Sequence, residues 1–191
     1  MPSDFATHRS DRPRPEAQPG LRRLQRLVMV GSGLALAATL ALANPPGARE
    51  IEQQYRAGAT APALERLDRA LAERPGDAEL RFLKAVLLAE RGRADEAAIW
   101  YERMTQDFPE LAEPHNNLAV LRAGAGQLDA ARALLETALR LAPDYRTARE
   151  NLGDVHVRLA ARAYAAAAQG ITPEPLLLRK LTLARELGAL R

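Results

Sequence analysis

Pro75, Pro109 and Pro143 recur at intervals of 34 residues, and so do Gly58, Gly92 and Gly126, and Ala63, Ala97, Ala131 and Ala165. A helix breaker, a turn-forming glycine and a small packing residue in fixed relative order at one period specify a repeated helix, turn, helix unit. Each residue type has a physical role in such a unit. The glycine ends the first helix in a left-handed conformation that a side chain resists. The alanine, five residues on, lies where two helices cross too closely for a larger side chain. The proline has no amide hydrogen, so it closes the second helix and marks the hand-over to the next unit.

The most complete unit spans residues 112–145 and carries Leu118, Ala119, Gly126, Leu128, Ala131, Leu135, Ala138, Leu139 and Pro143. On these residues the chain resembles the tetratricopeptide repeat family, whose 34-residue units place leucine and a small residue in the first helix and alanine, aromatic, alanine and proline in the second. Residues 78–111 keep Ala85, Gly92, Ala97, Tyr101 and Pro109 but have Lys84 at a leucine position and Met104 at an alanine position. Residues 44–77 follow the pattern only from Gly58 onward, through Ala63, Leu67, Ala70, Leu71 and Pro75, so the first helix is degenerate. The resemblance implies an all-α fold, a right-handed α-solenoid of antiparallel helix pairs with three to four units and a C-terminal capping helix.

Residues 146–170 form a degenerate fourth unit. They open with Asn151, Leu152 and Gly153, but no turn residue stands between Leu159 and Gln169, which predicts one long helix. Ala160, Tyr164 and Ala167 restore the alanine, aromatic, alanine spacing if the turn has been deleted. Within residues 171–191, Thr172 is expected to cap a last helix, with Pro173 in its first turn and Gly188 just past its end. Leu177, Leu181, Ala184 and Leu187 would then share one face. Such a helix covers the open end of a stack, which repeat arrays need for solubility.

The N-terminus reads differently. Residues 1–20 are rich in Pro, Asp, Ser and Arg and cannot bury a core, so residues 1–26 are expected to be a disordered basic leader. Arg22, Arg23 and Arg26 precede an apolar run, residues 27–43, that ends Ala41, Leu42, Ala43 before Asn44. Positive region, apolar region and small-x-small site come in the order of a secretory signal. The expectation is export to the periplasm with cleavage after Ala43; the alternative is an uncleaved inner-membrane anchor with the repeats outside the cytoplasm.

Composition then excludes several functions. Of the 27 basic and 24 acidic residues, six arginines and three acids lie in residues 1–43, which leaves 21 of each sign in the body. A neutral body gives no electrostatic footprint for nucleic acid. The absence of cysteine rules out thiolate chemistry and disulfides. The scattered histidines lack the spacing of a helical metal motif, so no metal or cofactor is expected. His115 and His156 are expected to pack at aromatic positions of the repeat with one nitrogen satisfied. Glu150 and Asp154 are four residues apart, but exposed carboxylates on a helix need a pocket or nucleophile to do acid and base work, and neither is indicated. No enzyme activity is expected.

A solenoid instead offers a concave groove lined by first helices. By resemblance to the family, the peptide-binding positions fall on Phe82, Leu83, Val86, Asn116, Asn117, Val120, Glu150, Asn151 and Asp154. Asn117 and Asn151 hold the same repeat position. An amide donates and accepts at once, which suits it to the backbone of an extended peptide, and it suits it equally to bonding a neighbouring helix. Glu150 and Asp154 would repel a C-terminal carboxylate. The expected function is a non-catalytic scaffold that binds a protein or peptide segment. The alternative is self-assembly into a homo-oligomer through the irregular terminal units.

Overall fold

The computed structural model describes residues 47–170 and 172–189. Every element among them is a helix: α1 Gly47–Arg56, α2 Thr60–Glu73, α3 Ala78–Glu90, α4 Ala94–Asp107, α5 Ala112–Gly124, α6 Leu128–Leu141, α7 Arg146–Ala167 and α8 Pro175–Ala189. The expected leader and apolar run, residues 1–43, lie outside the described residues.

The turns show why the period exists. Gly58, Gly92 and Gly126 have φ of +92°, +76° and +79°. Around Gly92 the amide of Arg93 donates to the Leu88 carbonyl and that of Gly92 to Ala89. The same pair of bonds closes the turns at Gly58 and Gly126, so three first helices end in one glycine-dependent motif that satisfies their last carbonyls. Second helices end differently. Arg74, Phe108 and Ala142 each precede a proline and have φ near −133°, −135° and −133°, because the proline ring disfavours a helical conformation in the residue before it.

Packing repeats with the turns. Ala63, Ala97 and Ala131 are fully buried at the helix crossings. Ile51, Leu67, Leu80, Leu83 and Leu87 form the first core; Phe82, Ala97, Tyr101, Met104 and Leu118 the second; Leu128, Ala131, Leu135, Ala138 and Val155 the third. Contacts between units join residues about one period apart. Arg56 pairs with Glu90 at 2.7 Å, 34 positions on, and Arg162 bonds Asp129 at 2.7 Å, 33 positions back. The fold is thus an all-helical α-solenoid.

Two departures from the repeat pattern are accommodated locally. Lys84, at a leucine position, reaches Asp68 of α2 at 2.5 Å. Met104 replaces an alanine and is fully buried, its unbranched chain filling the space beside Tyr101.

The C-terminal end differs from expectation in detail. α7 runs unbroken for 22 residues and stops before Gly170, which takes φ +74°. α8 then starts at Pro175 rather than at Pro173, and Thr172 to Glu174 form a connector. Proline is favoured at the first helical position, and here Pro175 fills it in place of the expected Pro173. Gly188 lies within α8 and does not end it. A Cβ there would sit 3.7 Å from Arg158 Cγ and 3.8 Å from Val157 Cγ1, ordinary contact distances, so this position faces α7 and has room for a methyl group. The inward face is Leu177, Leu181, Ala184 and Gly188, and Leu187 points to solvent.

Candidate groove across three units

The first helices α3, α5 and α7 carry the positions expected to line the groove. Phe82, Leu83 and Val86 on α3, Asn116, Asn117 and Val120 on α5, and Asn151 on α7 are all buried. Glu150 is exposed and Asp154 half-buried. The apolar members therefore belong to the packed interior and offer solvent a floor rather than protruding side chains.

A continuous line of contacts joins the centre of this set. The Phe82 ring meets Tyr101 edge-on, with centroids 5.8 Å apart. Asn117 Nδ2 donates to the Tyr101 hydroxyl at 3.1 Å, Asn116 Nδ2 donates to Asn117 Oδ1 at 3.1 Å, and Asn151 Nδ2 donates to Asn116 Oδ1 at 2.9 Å. The row runs from α3 through α4 and α5 to α7, so one polar thread crosses three units. Fully buried, Tyr101 has its hydroxyl pKa raised by desolvation, which the Asn117 amide opposes. At pH 7 it stays neutral and accepts the bond.

This arrangement separates residues that the 34-residue spacing treats as equivalent. Asn117 and Asn151 do not act as two like rungs. Asn151 bonds Asn116, 35 positions away, and Asn117 reaches back to α4. Tyr101 is the member that sequence reasoning took only as the aromatic of its repeat. Its place 16 residues before Asn117 is the available signal, since that interval carries a second helix onto the next first helix.

Electrostatics at the rim are modest. Burial raises the Glu79 carboxyl above its ordinary value, with the charge of Asp77 adding to the effect. Tyr145, largely buried and near Glu113, is pushed up to about 12. His115 is buried and faces the backbone of Pro109 without closing a hydrogen bond, so neither ring nitrogen is satisfied. Burial holds its pKa below the ordinary value, the Pro109 backbone opposes this, and the charge of Arg140 adds to it. His156 is exposed on α7, contrary to the packing role expected for it. Among the described residues no group of three His, Asp or Glu is placed to hold a metal ion, and no helix is long and apolar enough to cross a membrane.

Comparison with known proteins agrees with the geometry. Mouse protein O-mannosyl-transferase TMTC1 is 36% identical over 94 residues, and its human counterpart 35% over 94 residues, in each case 47% of this chain. The matched part is 10% and 11% of those proteins, so the chain spans about a tenth of their length, and the match carries no transferase activity with it. A solved structure described as Naa15/Naa10 bound to HypK-THB shares the fold, with a TM-score of 0.50 and 15% identity over 73% of this chain and 22% of that one. The family model described as tetratricopeptide repeat matches residues 49–112 and 116–173. Covering most of the chain with the turn glycines and crossing alanines in register, that match means the chain belongs to the tetratricopeptide repeat family.

Proposed function

We propose that this protein is a non-catalytic scaffold that holds a segment of another protein along the concave face of α3, α5 and α7. The observation that carries this reading is the Tyr101, Asn117, Asn116, Asn151 row, which spans three units at positions where the family's groove lies. Each amide nitrogen in the row uses one hydrogen within it, and the reading assigns the second to a peptide carbonyl laid over the row. Phe82, Leu83, Val86 and Val120 supply an apolar floor, and Glu150 and Asp154 an acidic end. A ligand that fits places apolar side chains over the α3 end and a basic or neutral group at the α7 end. The solved solenoid of similar fold is itself described in a complex bound to HypK.

The place of action is proposed from residues 22–43. Their order of arginines, apolar run and small-x-small site supports export, with the repeats in the periplasm and the apolar run either removed or kept as an inner-membrane anchor. A reporter enzyme active only outside the cytoplasm, fused after Arg191, should be active. An inactive fusion of normal abundance would remove the export reading, and an active one of full mass would replace cleavage by anchoring.

The groove is tested by recovering a partner through cross-linking in the envelope fraction and titrating it against variants. Glu150→Lys is suited to this because the side chain is exposed and its change leaves the helix packing alone. Reversing one groove charge should weaken binding about threefold to tenfold. Equal affinity for wild type, Glu150→Lys and Asp154→Lys, each with unchanged helix content, would place the partner elsewhere.

A further inference from the structure

Helix α8 carries two apolar faces where a terminal helix needs one. Leu177, Leu181, Ala184 and Gly188 face α7. A second stripe, Leu176, Leu183 and Leu187, is 60%, 50% and 55% exposed. At intervals of seven and four residues these three lie along one line of the helix, about 100° around from the packed face. A capping helix that only ended the stack would present a polar outer surface. Beyond the stripe, on the side away from α7, stand Arg179 and Glu186, both exposed and neither ion-paired with a described residue. On the near side, Lys180 is held over the Tyr164 ring of α7 at 6.0 Å.

We propose that this stripe is the contact surface for a second copy of the same chain, with two α8 helices packed antiparallel about a two-fold axis. That orientation is favoured by charge. Turned antiparallel with Leu183 near the axis, Leu176 of one helix meets Leu187 of the other, and Arg179 of each copy faces Glu186 of its mate. Both pairs form at once, as an isologous contact requires. A parallel arrangement would turn Arg179 and Glu186 toward the opposite flank of the mate, the side of Leu177 and Ala184, and leave both charges without a partner. A stripe about three turns long falls short of the roughly 1,600 Å² of a standard interface, so the dimer is weak and concentration-dependent.

The full chain, followed by sedimentation between about 1 and 500 μM, should pass from monomer to dimer with a micromolar or weaker dissociation constant. Leu183→Glu places a charge at the centre of the stripe on a residue that solvent already reaches, and it should raise that constant by about tenfold or more. Arg179→Glu should weaken pairing about threefold to tenfold, and Arg179→Glu combined with Glu186→Arg should restore it. A monomer at every concentration overturns the proposal, as does a dimer indifferent to Leu183→Glu. If Leu183→Glu disturbs folding, the charge exchange decides: a double variant no tighter than Arg179→Glu removes the antiparallel contact. Because the groove takes no part in this contact, dimer mass and ligand affinity fail independently.

Discussion

Removing Asn117 should cost far more than one surface amide, because it stands between two buried partners. It is 4% exposed, donates to the Tyr101 hydroxyl and accepts from Asn116, each at 3.1 Å, and Tyr101 is fully buried. Asn117→Ala strands a hydroxyl and an amide hydrogen. Each buried group left without a partner costs about 1–3 kcal/mol, so the variant should lose about 2–4 kcal/mol, allowing some relief from water at the Asn116 end. Tyr101→Phe deletes the acceptor only and strands one Asn117 hydrogen, for about 1–2 kcal/mol. If the two residues bond as placed, Tyr101→Phe with Asn117→Ala is less damaging than the sum of the single changes by about 0.5–2 kcal/mol, since the hydroxyl is then no longer there to be stranded. Urea unfolding followed by helical circular dichroism measures all four proteins, and a constant slope confirms that stability and not compactness has changed. Additivity within about 0.3–0.5 kcal/mol would refute the bond and with it the row across units. The same experiment shows why Asn117 is a poor probe of ligand binding: its loss perturbs the fold before any ligand arrives.

Three further outcomes are expected. Ala131→Leu should overpack a fully buried crossing and cost about 1–3 kcal/mol in urea unfolding; an unchanged midpoint would mean that the crossing has room. Gly126→Ala should cost about 1–2 kcal/mol and Gly126→Asn less, because a Cβ there meets nothing within 4 Å and the loss is all in the backbone at φ +79°; equal costs would place the strain elsewhere. His115 has its pKa lowered in the folded state, so the unfolded chain binds the proton more readily, and the stability this residue supplies is present at neutral pH and lost as pH falls below about 6.5. His115→Phe should therefore flatten the fall in melting temperature just below pH 6.5, and a slope identical to wild type would show that another group sets it.

The parts of the fold legible in the sequence are those in which one residue type is physically forced. A left-handed turn selects glycine, a close crossing selects alanine and a helix stop selects proline, so the period survives in spelling and the solenoid can be read from it. Side-chain direction is not forced in the same way. Gly188 shows this: glycine near a helix end reads as a cap, but here it lies inside α8 on the face turned to Val157 and Arg158. With Gly188 inward, Leu187 turns outward, a change of about 100° for one position. Pro173 was expected in the first turn of the last helix, and α8 instead begins at Pro175. The candidate groove positions were assigned by resemblance to the family, whereas the bonding of Asn151 to Asn116 and of Asn117 to Tyr101 depends on where neighbouring helices meet.

Residues one period apart touch one another in this architecture, which gives interior and ends different requirements. In the interior a polar side chain finds its mate on the next unit: Arg56 finds Glu90, Asn116 finds Asn151, and Asp129 finds Arg162. Each such pair needs a following unit to complete it. At the C-terminal end no further unit follows α7 among the described residues, and α8 supplies a face in its place. It does so with leucine on more than one side, so covering α7 moves the exposed apolar surface outward and does not abolish it. An array that ended for solubility alone would carry charge at Leu176, Leu183 and Leu187, positions at least half open to solvent. Their leucines are an expense without return in an isolated monomer, and a second copy of α8 is the surface at hand that matches them in both apolar spacing and charge.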